Sequence, residues 1–284
     1  MKESLRLRLF KAASVSTLLL ALAVQTGRQA NAQIITLVDG GAVAQINAGS
    51  QAGMFNWTIQ GIPLLAQQWF WYRLGPTGPE SSIDTIAAPT ITLSSGTRGV
   101  TLGYASLQML VQIDYLLTGS APVASGQVAV SDIAETIRIQ NTSAAPLDLH
   151  FYQYSDFDLG AGGGDTIQLG RNLGGLFNEA LQQFSTVAVS ETVLSPGANH
   201  GEVGLFPNTL NKLNNGVADT LSDNAGPLGP ADTTWAFQWD RILNPGSSLI
   251  ISKDKNLSLV VPEPSAVGIL SLCVAVAVWR RRSV

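Results

Sequence analysis

Apolar and polar residues alternate over short runs through the central part of the chain. Isoleucines recur at alternate positions of the segment Ile133–Ile139, and aromatic residues do so within Thr234–Leu243. Successive side chains of a strand point to opposite faces, so each segment is predicted to bury one face. Two sheets packed on such faces form an antiparallel β-sandwich, which is the all-β fold that we expect. The predicted strands are Ile34–Val38, Ala42–Asn47, Phe55–Ile59, Gln67–Arg73, Thr90–Ser94, Val100–Tyr104, Met109–Leu117, Val128–Asn141, Asp148–Asp156, Asp165–Leu169, Ser185–Val193, Thr234–Leu243 and Ser248–Asp254.

Two segments of the body have apolar residues at helical spacing. Asn172–Gln183 is the longer one, although Gly174 and Gly175 weaken the helix and make a pair of strands the alternative. Pro207–Leu213 predicts a short helix. The segment Asn214–Asp232 is rich in Asn, Gly, Pro and Asp, which is typical of a long loop.

The first 32 residues have the pattern of a cleavable signal peptide. A basic region ends at Lys11, and an apolar run of 13 residues follows it and ends at Val24. A helix of that length is too short to span about 30 Å of hydrocarbon, which argues against a retained anchor. Ala30 and Ala32 mark a cleavage site, so the mature chain is predicted to begin at Gln33. This segment therefore predicts export, with processing by signal peptidase.

The last residues, 261–284, combine three features of a sorting tail. Two prolines in the motif Val261–Ser265 block helix and sheet pairing, so the motif should be extended and accessible to a protease. The uncharged apolar run Ala266–Trp279 predicts a short membrane helix, and the arginines after it favour a cytoplasmic end. An ordinary single-pass anchor is the alternative, but its usual length is about 20 residues. The motif residues are Val261, Pro262, Glu263, Pro264 and Ser265, and the stop signal is Arg280, Arg281 and Arg282.

This tail resembles the PEP-CTERM sorting signal of Gram-negative bacteria. The resemblance implies processing by an exosortase, an inner-membrane intermediate held by the C-terminal helix, and a final location at the cell surface or outside the cell. It also implies an association with exopolysaccharide and biofilm. The stretches Tyr154–Leu159 and Thr234–Trp239 resemble uncharacterised ectodomains of the same group, which implies a β-sandwich without a known activity.

The body between these ends, residues 33–260, is predicted to be one β-sandwich ectodomain. From Gln33 to Val261 it holds 8 basic and 18 acidic residues, a net charge of −10. An acidic body argues against nucleic acid as a partner, because phosphate binding needs clusters of Lys and Arg. The single cysteine, Cys273, lies in the tail, so the body can have no disulfide, cysteine nucleophile or cysteine-based metal site.

An acidic, glycine-rich loop is the candidate for a metal site. Asp156, Asp158 and Asp165 lie on a turning backbone that could supply several oxygen ligands to Ca²⁺. The EF-hand pattern is not met, because Gly160 takes one ligand position and no Glu closes the loop. The alternative is a turn in which the aspartates bind backbone N–H groups. No other cofactor is expected.

A run of four aromatic residues is the candidate for a sugar-binding surface. The run is Trp69, Phe70, Trp71 and Tyr72, and in a strand its members alternate between the two faces. We expect them to belong to the core, with an exposed platform that stacks on a sugar ring as the alternative.

The remaining candidates for chemistry are histidines and carboxylates. His150 and His200 stand far apart without a His-x-His or His-x-x-x-His spacing, so surface or structural roles are expected and a histidine-based zinc site is not supported. A glycosidase pair could be formed by Glu135 with Glu191 or Asp240. Such a pair requires a separation of roughly 5 Å or 6.5–9.5 Å, which a sequence does not reveal.

Together these observations predict an exported, non-enzymatic surface or matrix protein with a structural or adhesive role. The alternatives are a secreted hydrolase that acts on polysaccharide and a Ca²⁺-dependent glycan-binding module.

Overall fold

The computed structural model describes residues 34–160 and 164–261. Regular structure in these residues is almost entirely β-strand, apart from a 3₁₀ turn at Ile83–Thr85 and one short helix, α1 (Asn208–Lys212). The strands, in chain order, are β1 (Ile34–Asp39), β2 (Ala42–Asn47), β3 (Gly53–Ile59), β4 (Ile62–Pro63), β5 (Leu65–Leu74), β6 (Ser81–Ser82), β7 (Thr90–Ser94), β8 (Gly99–Ala105), β9 (Met109–Gly119), β10 (Val128–Asn141), β11 (Leu147–Phe157), β12 (Asp165–Arg171), β13 (Phe177–Phe184), β14 (Val187–Ser195), β15 (His200–Leu205), β16 (Leu228–Ala231), β17 (Thr233–Leu243) and β18 (Ser248–Val260).

The strands form two sheets that pack face to face. The first sheet has the order β1-β2-β3-β5-β11-β17-β15, with β4 beside β3 and β6 beside β5. The second has the order β16-β12-β13-β14-β18-β10-β9-β8-β7. Neighbouring strands are antiparallel except β3 and β5, which are parallel. The prediction of an all-β antiparallel sandwich is confirmed.

Aromatic side chains fill the space between the sheets. Phe157 stacks on Trp235 with ring centroids 5.4 Å apart, and Phe70 stacks on Phe151 at 5.6 Å. These residues stand at alternate positions of β5, β11 and β17, so one face of each strand lies in the core. The alternating aromatic residues of β17 therefore line a buried face, as predicted.

The outer face of the first sheet is also covered. Residues 206–232, here called the covering segment, include α1 and lie over the outward side chains of β5 and β11. Asn214 accepts a hydrogen bond from Nε1 of Trp71 at 3.3 Å, and the carbonyl of Asp219 accepts one from the hydroxyl of Tyr152 at 2.8 Å. Glu202 of β15 anchors the same segment, because it accepts hydrogen bonds from Oγ1 of Thr209 and the Ser222 amide.

The aromatic run lies in β5, which is covered on both faces, so its side chains belong to the core. Trp69, Phe70 and Trp71 are fully buried, and Tyr72 is half-buried. Nε1 of Trp69 donates a hydrogen bond to Ser82 at 3.0 Å, so its polar atom has a partner inside the protein. The expectation of a core run is confirmed, and the exposed sugar platform is wrong for this segment.

One predicted helix is replaced by a strand and a turn. Residues of Asn172–Gln183 form the turn between β12 and β13 and then most of β13. Asn172 holds the turn, because its Oδ1 accepts hydrogen bonds from the amides of Gly174 at 2.9 Å and Leu176 at 3.1 Å. Gly175 has φ +80°, a conformation that favours glycine and ends any helix. The short helix predicted in Pro207–Leu213 is confirmed as α1, and the predicted loop after it contains the short strand β16.

Most of the processing signals lie outside the described residues. These are the signal peptide with Ala30, Ala32 and Gln33, the motif residues Pro262, Glu263, Pro264 and Ser265, the helix after them and Arg280, Arg281 and Arg282. Val261 is described, and its amide donates a hydrogen bond to the carbonyl of Gln127 at 2.9 Å. In residues 34–160 and 164–261, no helix has the length and apolar character required to cross a membrane.

Candidate functional site

Three neighbouring strands bring both histidines to one carboxylate on the outer face of the first sheet. His150 lies on β11, Asp240 on β17 and His200 on β15, and β17 lies between the other two. Nδ1 of His150 is 2.6 Å from Oδ1 of Asp240, and Nε2 of His200 is 3.4 Å from Oδ2 of the same carboxylate. We call these three residues the histidine row. An imidazole oriented by a carboxylate is a recurrent arrangement for proton transfer.

Further polar groups orient the histidine row. Asp223 of the covering segment lies 3.1 Å from Nδ1 of His200. Nε2 of Gln238 donates a hydrogen bond to Oδ1 of Asp240 at 2.8 Å, and the Asp240 amide donates to Oδ1 of Asn199 at 3.0 Å. Nε2 of His150 forms no hydrogen bond within the described residues and lies 3.8 Å from Asp148. Each ring is therefore fixed at Nδ1 by a carboxylate, and Nε2 of His150 has the more distant Asp148 near it but no hydrogen bond within the described residues.

A buried ion pair borders the histidine row. Arg73 of β5 stands opposite His150 of β11, and its Nε is 3.0 Å from Oε1 of Glu80. Nη2 of Arg73 donates to the hydroxyl of Tyr152 at 3.2 Å. Burial raises the pKa of the Tyr152 phenol, so it is a neutral donor that joins the covering segment at Asp219.

A second cluster lies at the other end of β11. Asp156 is the penultimate residue of this strand, Asp158 follows the strand, and Asp232 precedes β17. One carboxylate oxygen from each lies within 4.8 Å of the other two. These residues, here called the acidic cluster, line a surface cavity of about 270 Å³ together with Ala66, Gln67 and Phe206.

The predicted calcium set is thereby revised. Asp156 and Asp158 come together as expected, but their partner is Asp232 and not Asp165. Oδ2 of Asp165 accepts hydrogen bonds from Nε2 of Gln182 at 2.9 Å and from the Leu159 amide at 3.4 Å. Asp165 begins β12, and Gln182 on the neighbouring strand β13 holds its Oδ2, whereas its Oδ1 is buried without a hydrogen bond within the described residues.

Burial dominates the electrostatics of the acidic cluster. Burial, followed by the charges of Asp158 and Asp232, raises the pKa of Asp156 to about 7. The pKa of Asp158 is also raised, first by burial and then by Asp232. A cation bound between these carboxylates would offset the effect that Asp232 has on Asp156 and Asp158.

The predicted glycosidase pair Glu135 and Glu191 is a structural feature of the core. Both carboxylates are buried between the sheets, where Nζ of Lys253 lies 2.5 Å from Glu135 and 3.2 Å from Glu191. Lys255 lies 3.3 Å from Glu135 and 3.5 Å from Glu191. We call these four residues the buried ion cluster. Asp240, the other proposed partner of Glu135, lies on the outer face of the first sheet, so neither pair flanks a substrate.

Sequence reasoning singled out most of these residues without their grouping. His150, His200 and Asp240 are separated by up to 90 residues, and only the strand order β11-β17-β15 makes them neighbours. His150 and Asp240 lie in segments predicted as strands, whereas no strand was predicted at His200, which begins β15. Asp223 and Asp232 lie in a segment predicted as a loop, which carried no signal for either site.

The fold has counterparts among solved structures. A protein of Escherichia coli K12 assigned as an aldose 1-epimerase has a TM-score of 0.50 and 11% identity, and the match covers 79% of this chain and 98% of that one. A galactose mutarotase related enzyme from Lactobacillus acidophilus has a TM-score of 0.51 and 6% identity, covering 81% and 99%. A bacterial glucoamylase complexed with acarbose has a TM-score of 0.50 and 6% identity, covering 85% of this chain and 36% of that one. No protein-family model matches the chain, and no curated protein matches it.

These comparisons correct three expectations. The solved structures with this fold are named for enzymes that act on sugars, so the expectation of a non-enzymatic structural or adhesive protein is wrong. The assignment to proteins with a PEP-CTERM signal and an uncharacterised sandwich is also wrong, because the sandwich has the fold of solved structures named for aldose 1-epimerase and galactose mutarotase. At 6–11% identity the similarity establishes the fold alone.

Proposed function

We propose that this protein is a carbohydrate-active enzyme that uses the histidine row for acid–base chemistry at the anomeric carbon of an aldose. The observation that carries the proposal is the shared carboxylate: Asp240 contacts both imidazole rings on one face of the sheet. The fold supports the choice of substrate class, since the similar structures are named for aldose epimerisation and related sugar chemistry. The corresponding reaction is interconversion of the α and β anomers.

This reaction needs two proton transfers that the row can supply. A base removes the proton of the O1 hydroxyl while an acid protonates the ring oxygen O5, and the C1–O5 bond breaks to give the open-chain aldehyde. Rotation about C1–C2 and closure on the other face of the carbonyl return both protons. Imidazole is the side chain whose ordinary pKa suits both roles near neutral pH.

The contacts suggest how the two rings divide these roles. Nδ1 of His150 is held at 2.6 Å by Asp240, and its Nε2 is buried and has no hydrogen-bond partner among the described residues. This nitrogen becomes available to a sugar hydroxyl only when the groups packed over it move apart. We assign this nitrogen as the base. His200 has one ring nitrogen 3.4 Å from Asp240 and the other 3.1 Å from Asp223, so carboxylates from two different elements orient the ring. We assign His200 as the acid.

Export remains part of the proposal. The predicted signal peptide would place the enzyme outside the cytoplasm, so its substrate would be a free sugar or a reducing chain end in that compartment. The acidic body suits a neutral saccharide better than a phosphorylated one, because sugar phosphates require clustered cations.

The test is the rate of anomer exchange measured by NMR on aldohexoses and aldopentoses at equilibrium. We expect the purified protein to accelerate exchange of at least one sugar above an imidazole buffer of the same pH. His150→Gln and His200→Gln should each reduce the rate by about 10²-fold or more, the usual contribution of a positioned acid or base.

The control variant is Asp114→Asn on the outer face of the second sheet, where Asp114 binds Thr101 and Gln112. It should leave the exchange rate unchanged. Exchange no faster than in buffer for every sugar would overturn the proposal, and so would full activity of both histidine variants. Release of new reducing ends from a polysaccharide would show a hydrolase in its place.

A further inference from the structure

We propose that Asp156, Asp158 and Asp232 form a binding site for a hard divalent cation, Ca²⁺ in the first place. The site is separate from the histidine row and does not rest on the proposed function. It would join the end of β11 to the turn that leads into β17, two elements that are far apart in sequence. Its three carboxylate oxygens lie within 4.8 Å of one another. Carboxylate ligands of a Ca²⁺ ion bind it at about 2.3–2.6 Å, which allows neighbouring ligand oxygens to lie this far apart.

A buried oxygen without a partner points to a ligand. Asp156 is 4% exposed, and its Oδ1 forms no hydrogen bond within the described residues. The other oxygen, Oδ2, accepts one from the hydroxyl of Tyr154 at 3.2 Å. A buried carboxylate oxygen that accepts nothing costs stability, so such atoms are rare in native proteins unless something else satisfies them. Asp156 lines the same cavity as Asp158 and Asp232, where a cation would satisfy it.

The wall of the cavity offers further oxygen atoms. Nε2 of Gln67 donates to the carbonyl of Gln51 at 2.6 Å, so the carbonyl oxygen is the remaining polar atom of that side chain. The pairing of β5 with β11 passes from Gln67 opposite Asp156 to Leu65 opposite Phe157. This bulge leaves Ala66 without a partner in β11, and Ala66 also lines the cavity. Backbone and amide side-chain carbonyls are among the usual oxygen ligands of Ca²⁺.

The charges of the acidic cluster are not balanced by the protein. Among the described residues, none of the three aspartates forms an ion pair with Lys, Arg or His, whereas seven other carboxylates do. The cluster therefore carries up to three negative charges around one cavity. A divalent cation neutralises two of them and removes the mutual repulsion.

The ligand chemistry selects the kind of ion. All three side chains offer oxygen, and no histidine or cysteine belongs to the cluster, which disfavours Zn²⁺ and the softer transition metals. A cavity of about 270 Å³ that opens to solvent leaves room for several waters. Ca²⁺ accepts six to eight oxygen ligands in flexible geometry, whereas Mg²⁺ requires a tighter octahedron. Ca²⁺ is therefore the better fit.

The experiment is calorimetric titration of the full-length protein with CaCl₂ after removal of divalent ions by EDTA and dialysis. We expect one Ca²⁺ per chain and an increase in the thermal midpoint on binding. Asp232→Asn and Asp158→Asn should each weaken Ca²⁺ binding by tenfold or more. Without Ca²⁺ these variants should unfold at the same temperature as the wild type or higher, because each removes one repelling charge. That second result shows that a loss of binding is not a loss of folding.

Two matched controls sharpen the test. Asp114→Asn removes one carboxylate from the second sheet and should bind Ca²⁺ as the wild type does. Asp165→Asn changes the carboxylate next to the cluster that is engaged with Gln182, and it should weaken binding far less than Asp232→Asn. No saturable binding by the wild type, or undiminished binding by Asp232→Asn, would overturn the site. Tighter binding of Mg²⁺ than of Ca²⁺ would overturn the choice of ion.

Discussion

The buried ion cluster and the acidic cluster differ in how their charges are compensated. Glu135 and Glu191 have Lys253 and Lys255 within 3.5 Å, so two anions and two cations balance within the core. Burial alone would raise the pKa of Glu191, yet the two lysines hold it below its ordinary value. In the acidic cluster burial raises the pKa of Asp156, and the neighbouring charges raise it further. A balanced cluster is complete as it stands, whereas an unbalanced one is suited to a ligand.

The histidine row lies between these extremes. Its carboxylates face imidazole rings, and imidazole is the side chain that ordinarily exchanges a proton near neutral pH. That property suits a group that passes protons to a substrate. The charges of the buried ion cluster are balanced by the protein itself. The acidic cluster is suited to a metal ion, and the histidine row is suited to the exchange of a proton.

The largest expected effect is a loss of stability when one carboxylate is removed from the buried ion cluster. Glu191→Leu leaves two lysines with one carboxylate and removes the acceptor of Nε1 of Trp235. Loss of one partner of a buried pair costs about 3–5 kcal/mol, so the urea midpoint followed by tryptophan fluorescence should fall sharply.

The matched double variant distinguishes charge imbalance from lost packing. Addition of Lys253→Met to Glu191→Leu restores neutrality and should recover part of the lost free energy of unfolding. A double variant less stable than the single one would contradict the charge argument.

The next effect concerns the shared carboxylate of the histidine row. Asp240 contacts both rings, whereas Asp223 contacts only His200. Asp240→Asn should therefore slow anomer exchange by about 10²-fold or more, and Asp223→Asn should slow it less. Rates measured by NMR at saturating sugar would test this, and equal losses in the two variants would count against the central position of Asp240.

A smaller effect is expected from relieving the acidic cluster. In buffer free of divalent cations, Asp158→Asn should raise the free energy of unfolding by roughly 0.5 kcal/mol, since this exposed carboxylate is screened by solvent. With CaCl₂ in excess, the wild type should become the more stable of the two, because only its site is intact. Thermal unfolding with and without CaCl₂ would reveal this reversal. The same order of stability in both buffers would contradict it.

The smallest effect is a pH dependence on the second sheet. Burial, followed by a hydrogen bond with Asp254, raises the pKa of Asp132 from its ordinary 3.8 to about 6. A raised pKa means that the folded state holds the proton more firmly. The resulting stability is complete below pH 3.8 and is lost as the pH rises through about 6. Asp132→Asn lacks this change.

Comparison of the wild type with Asp132→Asn isolates the contribution of the Asp132 carboxyl to stability. Thermal midpoints of the wild type and Asp132→Asn at pH 4, 5, 6 and 7 should show the variant gaining on the wild type as the pH rises. A difference that is constant across this range would show that Asp132 and Asp254 do not share a proton.

The sheets were predictable because each strand shows its buried face locally. In β10, apolar residues at every second position indicated a strand with one face in the core, and the structure has it so. In β17 the alternate aromatic residues do line the core, but the residues between them are buried as well, up to Gln238. The helix predicted at Asn172–Gln183 failed because the same apolar residues also fit a turn followed by a strand. The left-handed backbone of Gly175 decided between them.

The sites were less predictable because they depend on strand order. The pairing of Glu135 with Lys253 requires β10 to lie beside β18, which no local pattern reveals. Asp232 replaces Asp165 in the acidic cluster for the same reason: Asp165 follows Asp158 closely in sequence, but its strand belongs to the other sheet. Proximity along the chain was therefore a poor guide to proximity in space.

The covering segment has a consequence for how the molecule moves. It supplies Asp223 to the histidine row and Asp232 to the acidic cluster, and its Leu221 amide donates to Oε1 of Gln238 beside Asp240. A fluctuation that lifts this segment would disturb both regions at once, so they share one opening equilibrium. A sugar bound at the histidine row, or a cation bound at the acidic cluster, lowers the population of the open form. Binding at one site thereby favours binding at the other. The coupling is reciprocal, and slowed deuterium uptake at the Leu221 amide would report it from both ends.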